Sequence, residues 1–307
     1  MRHRTCRHVS APQRETARLC FSAKPARFRN LPHETQSPEN RVFYNVKSDV
    51  EYNRYGKNRQ DGKSTTCANL AFELTSAGKK VLLIDGDMQL NLSLSFFDEE
   101  RVLEMAECEE NLYYAIKNKR DLSGYIVHTP YENLDLIPSS TLMSQIEYEL
   151  FTMIQREYVL KKCLRSIYEK ELYDYVLIDA PPTLGTWVIN ILCAADYVIV
   201  PVEASPWGLF GLANMFDFLN GISEMTEAKI MGVLITKVDE RKNYYKQTRE
   251  ILAGYDNINV FETFIHVDTS VEWAQDNSVP VSVYKKSTRS AKEFQQLARE
   301  VMDYGSR

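Results

Sequence analysis

The residues with the clearest chemistry are Gly62-Lys63-Ser64-Thr65, a lysine set between a glycine and two hydroxyl side chains. Backbone N–H groups at a helix N-terminus hold phosphate oxygens, a lysine ammonium neutralises β- and γ-phosphate charge, and a serine hydroxyl is a hard ligand suited to Mg²⁺. Carboxylates follow at Asp85-Gly86-Asp87 and at Asp179. At the tip of a strand such groups can orient a water or hold Mg²⁺ through one. The chemistry on offer is therefore the binding and hydrolysis of a nucleoside triphosphate.

Positioning these groups requires a helix opening at the glycine and strands ending at the acids. Leu70, Ala71, Leu74 and Ala77 recur at helical spacing, and Gly78 supplies a stop. Val81-Leu82-Leu83-Ile84 is then unbroken apolar sequence, as in a strand buried on both faces of a parallel sheet. Similar runs occur at Leu134–Ile137, at Tyr175–Ile178 before Asp179, at Tyr197–Val202, and at Met231–Ile235. Between Leu142 and Glu169 the pattern predicts one long amphipathic helix, whose charges form its wet face. Strands alternating with helices predict an α/β fold, a doubly wound, mainly parallel sheet with helices on both faces.

At these residues the chain resembles the ParA/MinD family of P-loop ATPases, in its Soj-like partitioning branch, whose phosphate loop is of the deviant Walker A type. Asp85-Gly86-Asp87-Met88-Gln89-Leu90-Asn91-Leu92-Ser93 looks like the family's DxDPQxNLS segment, with Met88 in place of proline. Leu134-Asp135-Leu136-Ile137-Pro138-Ser139-Ser140 resembles its LxLIPSS, and Tyr175 to Pro182 resembles its Walker B strand and switch II. Ser205 to Leu212 is similar to the ParA branch, with Trp207 and Phe210 as core or dimer-packing residues, and Phe261 to Val281 resembles the last strand, loop and helix. The motifs together cover about residues 61–302. The resemblance implies ATP with Mg²⁺, an ATP-dependent homodimer, non-specific DNA binding in chromosome or plasmid segregation, a ParB-like partner, a cytoplasmic location and no membrane. On this reading Gly62, Lys63, Ser64 and Thr65 bind nucleotide. Lys63 and Asp87 carry turnover, and Ser64, Asp179 and Asp85 hold the metal. Arginines usual near the last loop of relatives are replaced by His266, Val267 and Asp268, with His266 expected as a surface or capping residue.

The sequence before Asp61 departs from this pattern. Asn58, Arg59 and Gln60 stand where the family has its second lysine and two glycines, with Lys57 one residue away. Those glycines admit positive φ and a close backbone approach to phosphate, which Arg59 and Gln60 reach only at about 1–2 kcal/mol each. Reading the codons of residues 52–60 one base later permits an apolar strand followed by a small residue, a lysine and a glycine, so an out-of-frame head regaining frame near Asp61 is one explanation. Residues 1–40 carry four of the eleven prolines and no periodicity. Residues 1–50 are accordingly assigned to a disordered or non-native head, and 51–307 to the ATPase domain.

The 307 residues carry a net charge of −5, distributed unevenly: residues 1–60 hold 13 Lys+Arg against 5 Asp+Glu, and the rest holds 24 against 37. No apolar run approaches the roughly 20 residues that span a bilayer. The six cysteines are far apart without a CxxC pair, which argues against a zinc or iron–sulfur site. Two relatives of different function fit less well. A bacterial tyrosine-kinase ATPase ends in a tyrosine cluster, whereas this chain ends with Tyr304 alone. A MinD-like ATPase needs a basic amphipathic C-terminal helix, whereas residues 294–307 are mixed in charge. A chain of the same fold whose altered loop no longer holds triphosphate is the non-enzyme reading.

Overall fold

The computed structural model describes residues 41–45, 62–254 and 258–304. Of the head expected over 1–50, only residues 41–45 are described; the rest of it, and the stretch to residue 61 with Lys57, Asn58, Arg59 and Gln60, lie outside the described residues. Seven strands form one sheet: β1 Arg41–Asn45, β2 Val81–Asp85, β3 Val127–His128, β4 Leu134–Ile137, β5 Tyr175–Asp179, β6 Tyr197–Glu203 and β7 Lys229–Thr236, in the order β3-β4-β2-β5-β1-β6-β7. Every pairing is parallel except the short β3 against β4. The sheet takes in β1, ahead of residue 51 where the sequence reading starts the domain. β1 lies between β5 and β6, with Asn45 level with Asp179 and Ile199.

Twelve helices complete the described chain: α1 Gly62–Ser76, α2 Glu99–Glu107, α3 Leu112–Lys117, α4 Ile146–Phe151, α5 Val159–Cys163, α6 Arg165–Glu169, α7 Thr186–Ala194, α8 Pro206–Gly221, α9 Tyr244–Ala253, α10 Thr269–Asp276, α11 Val281–Lys285 and α12 Arg289–Tyr304. Side chains alternate along each strand, so the apolar runs feed two cores. Val81, Leu83 and Leu177 pack with Leu70, Ala71 and Leu74 of α1 and with Phe294 and Leu297 of α12. Leu82, Ile84, Val176 and Ile178 belong to the opposite core, with residues of α3 to α8. The doubly wound fold expected from the sequence is the one observed.

Helix α1 stops where predicted. Gly78 has φ 85°, open to glycine at little cost, and Lys79 N–H donates to Leu74 O at 3.1 Å to close the last turn. Ala77 falls past that turn and is exposed.

The long helix expected from Leu142 to Glu169 is instead a chain of short ones. A 3₁₀ turn over Thr141–Gln145 leads into α4, Gln155 adopts φ 52°, a second 3₁₀ turn covers Arg156–Tyr158, and α5 and α6 follow. Ile146, Leu150, Leu160, Leu164 and Ile167 are buried and fall on one helical stripe, so the apolar pattern does not mark the break, while Val159 and Cys163, also buried, lie off that stripe. Asn190 of α7, fully buried, satisfies the interrupted backbone: its Oδ1 accepts from Leu160 N–H at 3.2 Å and its Nδ2 donates to Arg156 O.

The expected last strand is also reduced. Beyond β7 the chain runs beside it through two isolated parallel bridges, Val233 to Val260 and Val238 to His266.

Replacing Asn190 with Ala would leave the Leu160 N–H and the Arg156 carbonyl without the side chain that satisfies them inside the core. The expected loss is about 1–3 kcal/mol of unfolding free energy, read from the urea midpoint at unchanged m-value.

Candidate active site at the C-terminal edge of the sheet

Parallel strands bring the same end of every strand to one edge of the sheet, and β2 and β5 both finish there in an acid. Their registers place Asp85 directly beside Asp179. The chain then turns at Gly86, whose N–H donates to Asp179 O at 2.8 Å. A Cβ on residue 86 would lie 2.7 Å from that same carbonyl, so only glycine lets the two strand tips close. Trp187 of α7, buried, fixes the other side of the turn by donating its indole N–H to Gly86 O at 3.0 Å.

The first turn of α1 meets this edge. Helix geometry leaves the N–H groups of Gly62, Lys63 and Ser64 outside the i to i−4 ladder, which is the arrangement that receives anionic oxygen. The Ser64 hydroxyl donates to Asp179 Oδ2 at 2.5 Å, and Lys63 Nζ donates to Ala180 O at 2.9 Å. The structure thus gathers Gly62, Lys63, Ser64, Thr65, Asp85, Asp87 and Asp179 at one edge.

The three acids have different surroundings. Asp85 Oδ2 accepts from both the N–H and the hydroxyl of Ser93, at 2.9 and 2.6 Å, and its Oδ1 accepts from Asp87 N–H at 3.3 Å. Those contacts fold residues 87–93 back onto β2. Asp87, also buried, accepts from Gln89 N–H at 3.1 Å. Asp179 keeps one fully buried oxygen, Oδ1, with no hydrogen-bond partner among the described residues. A hard divalent cation suits that donor set: an orphaned carboxylate oxygen with the Ser64 hydroxyl on its neighbour.

Burial dominates the acidities. Asp85 is pushed from 3.8 up to about 8, by burial first and then by the Asp179 charge, against the opposing Ser93 hydrogen bonds. Asp179 is pushed up to about 7 by burial, with Lys63 and the Ser64 hydroxyl pulling the other way.

Ser93, Trp187 and Glu147 are parts of this site that the sequence did not single out by role. Glu147 of α4 accepts from the N–H groups of Thr186 and Trp187, both at 3.0 Å, and so caps α7 where it leaves the loop that follows Asp179. A carboxylate reaching another helix from 40 residues away leaves no local signal.

Other expectations need correction. His266 is buried. Its Nδ1 lies 2.5 Å from Glu293 and its Nε2 3.0 Å from Glu240, so it joins α12 to the loop after β7 instead of facing solvent. Trp207 and Phe210 are 72% and 53% exposed, which excludes a core role. Of the basic residues that could meet nucleic acid, Arg241 is held by Asp239 through two contacts of 2.8 and 2.9 Å, and Arg289 by Glu240 and Glu293. Lys242, Lys285 and Lys286 are exposed.

An AAA domain family model matches residues 59–232. The sporulation initiation inhibitor protein Soj of Bacillus subtilis is 34% identical over 80% of this chain and 94% of its own length. The chromosome partitioning protein ParA of Myxococcus xanthus is 29% identical over 78% of this chain and 83% of its own. In fold, the chain resembles cobyrinic acid a,c-diamide synthase from Mycobacterium smegmatis, solved with a bound ATP analogue and magnesium. That likeness has a TM-score of 0.71 at 23% identity, over 86% of this chain and 95% of the other.

The raised carboxylates carry a sign for stability. The folded protein holds protons on Asp85 and Asp179 that the unfolded chain releases near pH 3.8, so their contribution is present at low pH and is lost as pH rises through about 7 to 8. Nucleotide-free protein is therefore expected to melt at a lower temperature at pH 8.5 than at pH 6. Asp85→Asn should flatten that slope in thermal melts across the range.

Proposed function

The chain belongs to the Soj and ParA branch of the AAA-domain P-loop ATPases, and from that premise we propose that it binds and hydrolyses ATP with Mg²⁺ in the cytoplasm, pairs with a second copy when ATP is bound, and holds DNA without sequence preference during chromosome or plasmid segregation. The observation that carries the proposal is the meeting of Lys63, Ser64 and Asp179 at the first turn of α1, with Asp179 Oδ1 buried and without a hydrogen-bond partner among the described residues while Ser64 holds Oδ2.

Each residue has a role on this reading. The N–H groups of Gly62 to Thr65 bind phosphate oxygens, and Lys63 stabilises the charge that builds up during phosphoryl transfer. Ser64, Asp179 and Asp85 are the metal's holders, Asp85 being the one already engaged by Ser93. Bound Mg²⁺ would neutralise phosphate charge. Asp87 positions the attacking water and takes up its proton. Met88 and Leu184, both exposed, sit on the loops that follow Asp87 and Asp179, and with Trp207 and Phe210 they offer apolar surface for a second copy. A ParB-like protein is the partner implied by the relatives.

Residues 58–60 bear on how well the chain performs this reaction. Arg59 and Gln60 stand in place of glycines, and Lys57 is one residue away from the second lysine's position. We therefore place the chain's ATP affinity below that of a version carrying Lys-Gly-Gly-x before Gly62.

Lys63→Ala should lose ATP binding or turnover outright, whereas Asp87→Ala should keep ATP and lose at least about a hundredfold in turnover, by the scale of general-base contributions. Calorimetry alongside a phosphate-release assay separates the two. Equal rates in wild type and both variants would remove the assignment.

DNA binding on this reading needs ATP and is driven by phosphate contacts, with Lys242, Lys285 and Lys286 as its cations. Anisotropy titrations should show affinity falling steeply with salt and indifferent to sequence, and Lys285→Glu/Lys286→Glu should weaken it and shallow the salt slope. Tight binding without nucleotide, or to one sequence only, would point to another class of protein.

A further inference from the structure

Thr65, Asn69 and Glu73 lie four residues apart and form one stripe along α1. All three are buried, yet all are polar, on a helix whose buried positions beyond its first turns are otherwise apolar: Cys67, Ala68, Leu70, Ala71 and Leu74. Each is met by the same C-terminal stretch. Gln275 Nε2 of α10 donates to Thr65 Oγ1 at 2.5 Å, Val281 N–H at the start of α11 donates to Asn69 Oδ1 at 2.8 Å, and Ser282 Oγ donates to Glu73 Oε1. Asn69 also returns a hydrogen bond from its Nδ2 to Thr65 O at 2.8 Å. α10 is fixed in turn: Asp268 caps its first turn through Ser270 N–H at 2.8 Å and accepts the Ser290 hydroxyl at the head of α12, also at 2.8 Å.

We propose that Gln275 is a positioning residue for the phosphate-binding turn: anchored on the C-terminal segment, its amide donates to Thr65 and sets that hydroxyl as a hydrogen-bond donor toward a nucleotide phosphate. A hydroxyl has one proton and two lone pairs, so one that has accepted the Gln275 N–H keeps its own proton for another acceptor. Accepting a hydrogen bond also strengthens the one it gives. Side chains lining a helix N-terminus meet anionic oxygen, which takes donors only. The Asn69 and Glu73 contacts hold the segment in register along α1, so that Gln275 arrives at Thr65 and not a turn away.

The proposal rests on the ATPase reading, and its test separates the two. Gln275→Leu should raise KM for MgATP about tenfold, the worth of one hydrogen bond to a group that binds phosphate, with kcat within about twofold. Gln275→Glu, which puts an acceptor and a negative charge in the donor's place, should raise KM further. In a Thr65→Val background, Gln275→Leu should add less than about twofold. The same pair is then measured without nucleotide, by urea denaturation of wild type, Gln275→Leu, Thr65→Val and the double variant. Non-additive midpoints are expected, the double variant resembling either single one. Additive midpoints, a kcat loss at unchanged KM, or a Gln275→Glu variant that binds MgATP like wild type would each overturn the proposal. Should the wild type neither bind nor hydrolyse MgATP, the ATPase reading falls, and the denaturation cycle alone decides the Gln275 to Thr65 coupling.

Discussion

The backbone hydrogen bond from Gly86 N–H to Asp179 O is the constraint on which the site depends, because it joins the tips of β2 and β5 and so sets three buried carboxyl groups at one edge of the sheet. Placing acids this close without water is unfavourable, and burial holds Asp85 and Asp179 above the ordinary carboxylate range. The surrounding contacts are arranged to relieve it. Ser93 gives Asp85 two hydrogen bonds, Ser64 gives Asp179 one, and Lys63 brings a positive charge beside Asp179. What remains unrelieved among the described residues is Asp179 Oδ1, and a cation is the chemistry that would relieve it.

The two faces of the sheet serve that edge differently. On one, α1 is sandwiched between the strands and α12, with its polar stripe tied to α10 and α11, which fastens its first turns from that side. On the other, α4 to α7 form a less regular layer, in which Glu147 caps α7 and Asn190 closes the break between α4 and α5. Both ends of the loop from Ala180 to Gly185 are thereby held, one by Lys63 on Ala180 O and the other by Glu147 at Thr186. The loop that follows Asp179 is thus fastened at both ends by side chains from other elements.

Much of this was legible in the sequence because it is local. Apolar runs ending in Asp85 and Asp179 gave two central strands, Gly78 marked the end of α1, and Gly62 to Thr65 marked its start. Less local features were not. The 142–169 helix was misjudged because the pattern suits a helix throughout: Ile146, Leu150, Leu160, Leu164 and Ile167 keep one helical stripe across the break at Gln155. His266 read as a surface residue because its partners, Glu240 and Glu293, lie 26 and 27 residues away on other elements. Trp207 and Phe210 read as core or dimer-packing because aromatics usually bury themselves, and their exposure leaves packing against another chain as the role still open.

β1 bears on the altered phosphate loop. In a parallel α/β unit the chain passes from strand tip to helix N-terminus in a few residues, and that short span holds backbone N–H groups around an anion. Here Asn45 ends β1 level with Asp179, and α1 begins at Gly62, within a residue or two of Ser64, which touches the same Asp179. The chain therefore leaves and re-enters the sheet edge at neighbouring points with residues 46–61 between them. Loop closure itself adds little, since each doubling of length costs only about 0.6 kcal/mol. Fixing the turn then falls to α1 and to what grips it from the other side, which is where the side chains of Thr65, Asn69 and Glu73 meet the C-terminal segment.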